Sequence, residues 1–155
     1  MSNESDYKTL LTVEREKNKS LNTLLKVLVE IFAKDINMFN DLNNNNNNKN
    51  KIKDSLKILE NTVQSSLIIA FISRYCVIID TCIFNIDDES DDNKVLYYLT
   101  KLKNTHMINT LNSLKRSIDD DINSMKKSSN SSNQVFHDSF VTLASNYQTI
   151  ISKFI

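Results

Sequence analysis

The sequence predicts an all-α protein, an antiparallel up-down bundle of about four amphipathic helices that is either compact or extended. Two observations lead to this prediction. The chain of 155 residues has no glycine and no proline, although average usage would give it about 11 glycines and about 8 prolines. Apolar residues also recur at steps of three and four, which is the period of an α-helix. The length favours one helical domain over residues 1–155.

The first helix is predicted over residues 5–41. Its helically spaced apolar residues are Tyr7, Leu10, Leu11, Leu21, Leu25, Leu28, Phe32, Ile36, Phe39 and Leu42. Charged residues interrupt the pattern between Glu14 and Ser20, so we expect the helix to be solvated or bent there. The asparagine-rich residues 43–50 cannot bury enough apolar surface to offset their ordering entropy, which predicts a polar loop.

The second helix is marked by spaced apolar residues and then by an almost continuous apolar run as far as Phe84. The spaced residues are Ile52, Leu56, Leu59, Val63, Leu67, Ala70 and Phe71. Arg74 and Asp80 interrupt the run, and its stretch from Leu67 to Ile79 is shorter than the roughly 20 residues that a membrane span needs. We therefore expect a central helix that is apolar on most sides, and we do not expect membrane insertion.

The third helix is predicted over residues 92–126, after an acidic connector at residues 87–92. Its apolar residues are Val95, Tyr98, Leu99, Leu102, Met107, Ile108, Leu111, Leu114, Ile118, Ile122 and Met125. Lys126 and Lys127 follow, and positive charge is favourable at the C-terminus of a helix. A second polar loop is predicted at residues 128–133.

The fourth helix has the most regular pattern in the chain. Its apolar residues, in alternating steps of four and three, are Phe136, Phe140, Leu143, Tyr147, Ile150 and Phe154. Ala144 and Ile151 widen this stripe. Three such repeats are enough for one helix of a bundle, which completes the set of four.

Catalytic and metal-binding motifs are missing from the sequence. Without glycine, the chain lacks the phosphate-binding loops and the strained nucleophile turn of the common enzyme folds. His106 and His137 each lack a second metal ligand at helical spacing, and the acidic residues 87–92 lack the glycine and final glutamate of a calcium loop. We expect His137 and Asp119–Asp121 to be exposed to solvent. The sequence therefore predicts no catalytic residue, no cofactor and no bound metal.

Charge and cysteine content limit which partners and which cellular compartment we expect. The 19 basic and 19 acidic residues balance, so no net field attracts nucleic acid or an anionic membrane. On a helix, Cys76 and Cys82 would lie about 9 Å apart, beyond the limit of ~7 Å for a disulfide, which predicts reduced core residues. The polar, acidic start of the chain, Met1–Asp6, does not resemble a signal peptide. We expect a cytoplasmic or nuclear protein that is not secreted.

Arg74 is unusual because its neighbours Ile72, Tyr75 and Val77 are apolar. Its guanidinium must either reach the surface while its stem packs on the core, or pair with a carboxylate. That carboxylate would belong to Asp80 or to another helix, within the chain or in a partner.

The sequence predicts a non-enzymatic interaction protein, a subunit or adaptor that binds protein partners, or further copies of itself, through amphipathic helices. The candidate contacts are Leu21, Leu25, Leu28, Phe32, Arg74, Phe140, Tyr147 and Phe154. The alternative is a self-contained bundle that captures a helix in a groove. In size and helical content the chain is similar to viral Bcl-2-like proteins, although the Asn-Trp-Gly-Arg motif of that family has no counterpart here.

Overall fold

The computed structural model describes residues 4–48, 55–82, 91–127 and 134–155. These residues form four helices and no strand: α1 (Glu4–Asn48), α2 (Ser55–Asp80), α3 (Asn93–Lys127) and α4 (Gln134–Ser152). Each helix packs against others through buried apolar side chains. The predicted all-α class is therefore confirmed.

One hydrophobic core joins the four helices. It contains Leu21, Leu24, Leu28 and Phe32 of α1, Ile68, Ile72, Tyr75 and Ile79 of α2, Met107, Leu111, Leu114, Ile118 and Ile122 of α3, and Phe136, Phe140, Ala144, Tyr147 and Ile151 of α4, with Cys82 after α2. Within each helix these residues recur at steps of three and four, so one stripe of each helix faces the core. Cys76 is half-buried and Cys82 buried, and both thiols are free, as predicted.

α1 is longer than predicted. It continues as far as Asn48, so the loop expected at residues 43–50 is helical over its first six asparagines. The physical reason is the lack of a stop signal, because no glycine or proline follows Leu42, and asparagine costs a helix no more than about 0.7 kcal/mol per residue relative to alanine. The acidic connector is non-helical at Asp91 and Asp92. Its other residues, and the loop at 128–133, lie outside the described residues.

The helix ends follow the local hydrogen-bonding chemistry. Asp92 is the N-cap of α3, since its Oδ1 accepts a hydrogen bond of 2.9 Å from the backbone N–H of Lys94. After α2, the N–H groups of Thr81 and Cys82 donate to the carbonyl oxygens of Ile78 and Ile79, and this tighter turn ends the helix. α3 ends in Lys126 and Lys127, as the sequence predicts.

A buried polar layer joins α1 to α3 where the sequence predicted a solvated or bent stretch. Glu14 and Asn104 are buried, and the Asn104 side-chain NH₂ donates to the Glu14 backbone oxygen at 2.8 Å and to Glu14 Oε2 at 2.9 Å. Asn18 donates to the Asn104 Oδ1 at 2.8 Å. The steps of four and three therefore continue along α1 through two polar residues. The positions are Tyr7, Leu11, Glu14, Asn18 and Leu21. The rest of the stretch, Arg15–Lys17 with Lys19 and Ser20, is exposed as expected. Glu14 is the buried exception, because Asn104 supplies the hydrogen bonds that burial requires.

Candidate functional site

The outer face of α2 is the most unusual surface among the described residues. It consists of Val63, Ser66, Leu67, Ala70, Ser73, Arg74 and Val77, and all seven are exposed. Val63, Leu67 and Val77 have 53%, 45% and 64% of their area exposed. From Thr62 to Ile79, Arg74 is the one charged residue. Surface helices of globular proteins normally place charged residues on the face opposite the core.

The sequence predicts a central helix that is apolar on most sides, and the structure shows which of its apolar sides faces the core. The core-facing residues of α2 are Ile68, Ile72, Tyr75 and Ile79. On the opposite side of α2, none of the four described helices covers the surface. The reason is geometric: four helices that surround one core give each helix a single inward face. The apolar residues that the sequence placed on the other face of α2 are consequently left at the surface.

Arg74 pairs with a carboxylate of α3. Its guanidinium donates a hydrogen bond to Asp121 Oδ2, and its carbon Cζ lies 5.4 Å from the ring centre of Phe71 and 5.7 Å from that of Tyr75. Half of the Arg74 side chain, 51%, stays exposed. Of the alternatives left open by the sequence, the pair with another helix of the same chain is the one observed. Asp121 is therefore half-buried and bonded, whereas Asp119–Asp121 were expected to be exposed together.

Five of the predicted partner contacts lie in the core of the chain itself. At most 2% of the area is exposed at each of Leu21, Leu28, Phe32, Phe140 and Tyr147. Their stripes are apolar because the four helices pack on one another. In this conformation they serve the core of the chain itself, and their role as partner contacts stays a prediction.

The other three predicted contacts reach the surface. Leu25 is half-buried and lines a groove beside α1, Arg74 lies on the outer face of α2, and Phe154 follows the end of α4 with 40% of its area exposed. They lie in separate places. The structure therefore does not bring the predicted set together into one site.

Two buried tyrosines donate hydrogen bonds to carboxylates at the edge of the core. Tyr75 donates to Asp121 Oδ2 at 2.6 Å, and Tyr147 donates to Asp35 Oδ2. Their rings lie 6.4 Å apart, edge to face. Burial, and then the hydrogen bond to a carboxylate, raise the pKa of both phenols above the ordinary value of 10.0. Both tyrosine rings belong to the core. The two pairs could not be predicted from the sequence, because the partners are distant along the chain.

Alkaline pH is expected to destabilise the fold from about pH 10 upward. The unfolded tyrosines ionise near 10.0 while Tyr75 and Tyr147 stay protonated in the fold, so the folded state binds more protons and stability falls as pH rises. The loss is at most about 1.4 kcal/mol per tyrosine for each pH unit. Urea unfolding at a series of pH values measures it. The Tyr75→Phe, Tyr147→Phe double variant should lose less stability above pH 10, and an unchanged slope would contradict the explanation.

A second exposed apolar region lies on the first turns of α1 and α3, here termed the α1–α3 extension. Its exposed members are Leu10 and Val13 of α1 and Val95, Tyr98 and Leu102 of α3. Tyr7 packs against Tyr97 and Tyr98, with ring centres 5.8 and 6.0 Å apart. The described ends of α2 and α4 lie farther along, because Thr81 bonds His106 and because Ile155 lines one cavity with Ile108. Among the described residues, these turns of α1 and α3 therefore pair mainly with each other.

A groove of about 520 Å³ runs between α1, the end of α2 and α3. Its apolar lining consists of Leu25, Val29, Ile79, Cys82 and Met107, and its polar lining of Asn22, Lys26, Glu30, Asp80 and Lys103. Two lysines and two carboxylates give it no net charge. A volume in this range suits a small ligand or a few side chains of a docked helix.

The histidines and carboxylates do not assemble into a larger cluster in the part of the chain that the structure describes. No group of three or more His, Cys, Asp or Glu side chains is placed to hold a metal ion there. His106 bonds the backbone oxygen of Thr81. His137 is buried beside Phe136, so the expectation that His137 lies at the surface was wrong. Its ring is covered by the packing of α4, a contact that its position near the helix start did not reveal.

One described segment, Thr62–Asp80, is long and apolar enough to cross a membrane by length and composition, with a mean hydropathy of 1.6. It coincides with the helix that carries the exposed outer face. Comparison of the chain with protein-family models, with curated proteins and with solved structures gives no match.

Proposed function

We propose that this chain is a non-enzymatic helical interaction protein, a subunit or adaptor that binds a protein partner through helix packing, with the outer face of α2 as its main contact. One observation carries the proposal. α2 is apolar on both sides, but the residues that the structure describes cover only one of them. Helices that are apolar all round are normally buried all round. A partner helix laid along α2 supplies the missing cover.

The composition of the outer face suits a protein interface. The centres of such interfaces are depleted in charge, and arginine is among the residues enriched there. Each apolar side chain that passes from exposed to fully buried contributes roughly 1.5–3 kcal/mol before the costs of association. Arg74 adds a guanidinium whose charge is already paired with Asp121, so its burial at the interface leaves no unpaired ion.

The topology that best fits this role is the antiparallel up-down bundle. It is supported by the order in which residues of neighbouring helices meet. From α1 to α2, Phe32 packs on Tyr75, and the earlier Val29 lines one groove with the later Ile79. From α3 to α4, Gln148 bonds Asp119, and the later Ile155 lines one cavity with the earlier Ile108. In this topology α2 has one long side that none of the described helices covers.

The groove lined by Leu25 and Val29 favours a second candidate, a self-contained module that captures a helix. Its supporting observation is the apolar lining at the junction of three helices. Under this reading the chain is a stable monomer, and an amphipathic peptide binds at the groove. Substitution of Val29 by glutamate should then abolish binding, whereas substitution on the outer face of α2 should leave it unchanged.

The test compares two surface variants of the tagged chain, Leu67→Glu on the outer face and Val13→Glu on the α1–α3 extension. Both replace a half-exposed apolar residue by the same charge, and circular dichroism verifies that both fold. Quantitative mass spectrometry of cross-linked, co-purified protein from native cells is the measurement. We expect Leu67→Glu to lose the stoichiometric partner at least about tenfold, as at an interface hot spot, and Val13→Glu to retain it. Equal retention by both variants would contradict the proposal.

A further inference from the structure

We infer that the occupant of the outer face of α2 is the same face of a second copy, packed antiparallel across a two-fold axis at Ala70. This inference rests on the proposed function, since it names the partner for that face. Its basis is the arrangement of residues along the stripe. Val63, Leu67, Ala70, Arg74 and Val77 follow one another at steps of four, three, four and three, which keeps them on one side of a helix.

The stripe is self-complementary about Ala70. In an antiparallel pair centred there, Val63 meets Val77 of the second copy, and Leu67 meets Ser73 of the second copy. Arg74 meets Ser66 of the second copy, so its exposed N–H groups can donate to a serine hydroxyl. The two arginines do not face each other, and an interface of this kind is isologous, which is the usual symmetry of homodimers.

The charge of the outer face and the size of its central side chains are also consistent with a second copy as its occupant. The outer face carries one charged residue, and Asp121 of the same chain pairs with it, so two copies bring no net charge together. Ser66, Ala70 and Ser73 are small and exposed, which allows the two helices to approach closely along their midpoints. The stripe from Val63 to Val77 is only about 21 Å long. An interface of this length lies at the small end of the range, and we expect micromolar dissociation.

Cysteine cross-linking tests the register directly. The background is the full chain with Cys76→Ser and Cys82→Ala, verified by circular dichroism. Ala70→Cys should form a disulfide dimer with itself under mild oxidation, because the two copies of residue 70 meet at the axis. Val63→Cys and Val77→Cys should each fail to cross-link alone, since equal residues are then about 21 Å apart, but the two variants mixed should form a mixed dimer.

Sedimentation equilibrium of the cysteine-free protein supplies an independent measure. We expect reversible association to twice the mass of 17.9 kDa, with a dissociation constant raised at least about tenfold by Leu67→Glu and unchanged by Val13→Glu. A protein that stays monomeric, with no disulfide dimer of Ala70→Cys, overturns the inference. Self-cross-linking of Val63→Cys overturns the antiparallel register.

The remaining outcomes separate this inference from the proposed function. If the chain is monomeric but Leu67→Glu still loses a different co-purified protein, the second copy is wrong and the interaction role stands. If the monomer floats with phosphatidylcholine vesicles and Leu67→Glu does not, a lipid surface covers the face and both proposals are overturned. If Leu67→Glu changes no association at all, both are overturned as well.

Discussion

Replacement of Phe32 by alanine is expected to lower the free energy of unfolding by about 3–5 kcal/mol. Phe32 is fully buried, and its ring lies edge-on to Tyr147 at 4.8 Å and 6.3 Å from Tyr75. The alanine variant loses the transfer free energy of the ring, leaves a cavity and removes both aromatic contacts. Because domains have a total stability of only about 5–15 kcal/mol, the loss is a large fraction of the whole.

Urea unfolding followed by circular dichroism measures this effect, and Val29→Ala is the matched control. Val29 lies three residues earlier on α1 and has 52% of its area exposed, so its truncation should change stability by no more than about 0.5–1 kcal/mol. A comparable loss for both variants would mean that Phe32 does not occupy the core. The same pair of variants also tests the assignment of Phe32 to the fold rather than to a partner contact.

The number and type of the helices could be predicted because they depend on local information. In α4, Phe136, Phe140 and Tyr147 keep their spacing without interruption, and all three are buried. The absence of glycine and proline left no alternative to long helices. The same local argument misplaced the end of α1, since asparagines that contain no stop signal can extend a helix that packing has already stabilised.

The candidate site could not be predicted because it depends on which helices meet. The sequence marked Arg74 as unusual but could not choose among its partners, since Asp121 lies 47 positions away. Likewise, the apolar residues of α2 indicate burial on all sides, and only the assembled helices reveal which side stays open. The sequence therefore did not separate the exposed Val63 and Val77 from the core-facing residues of α2. The polar layer at Glu14 was missed because its partner, Asn104, is 90 positions away.

Replacement of Asn104 by leucine is expected to lower the free energy of unfolding by about 1–3 kcal/mol, although leucine is more apolar and has a higher helix propensity. The reason is that the buried Glu14 carboxylate loses the donor at 2.9 Å and the Glu14 backbone oxygen loses the donor at 2.8 Å. Asn109→Leu, at an exposed position on the same helix, is the control and should change stability by no more than about 0.5 kcal/mol. Thermal unfolding of both variants measures the difference.

Replacement of the whole polar layer between α1 and α3 shows whether the layer acts on stability or on the alignment of the two helices. When Glu14, Asn18 and Asn104 all become leucine, no buried side chain of the layer is left unpaired, so stability should recover to the wild-type value or exceed it. Lys17 and Asn22, which donate to Glu14 and Asn18, are exposed and can bond water instead. A polar layer inside a heptad seam fixes the alignment of two helices, because any shift separates its hydrogen-bonding groups. We therefore expect the triple variant to give extra amide signals in NMR spectra, from more than one alignment of α1 on α3. If Asn104→Leu alone is as stable as the wild type, the Glu14–Asn104 hydrogen bonds make no net contribution, and the role of the layer in register must be judged from the NMR spectra of the triple variant.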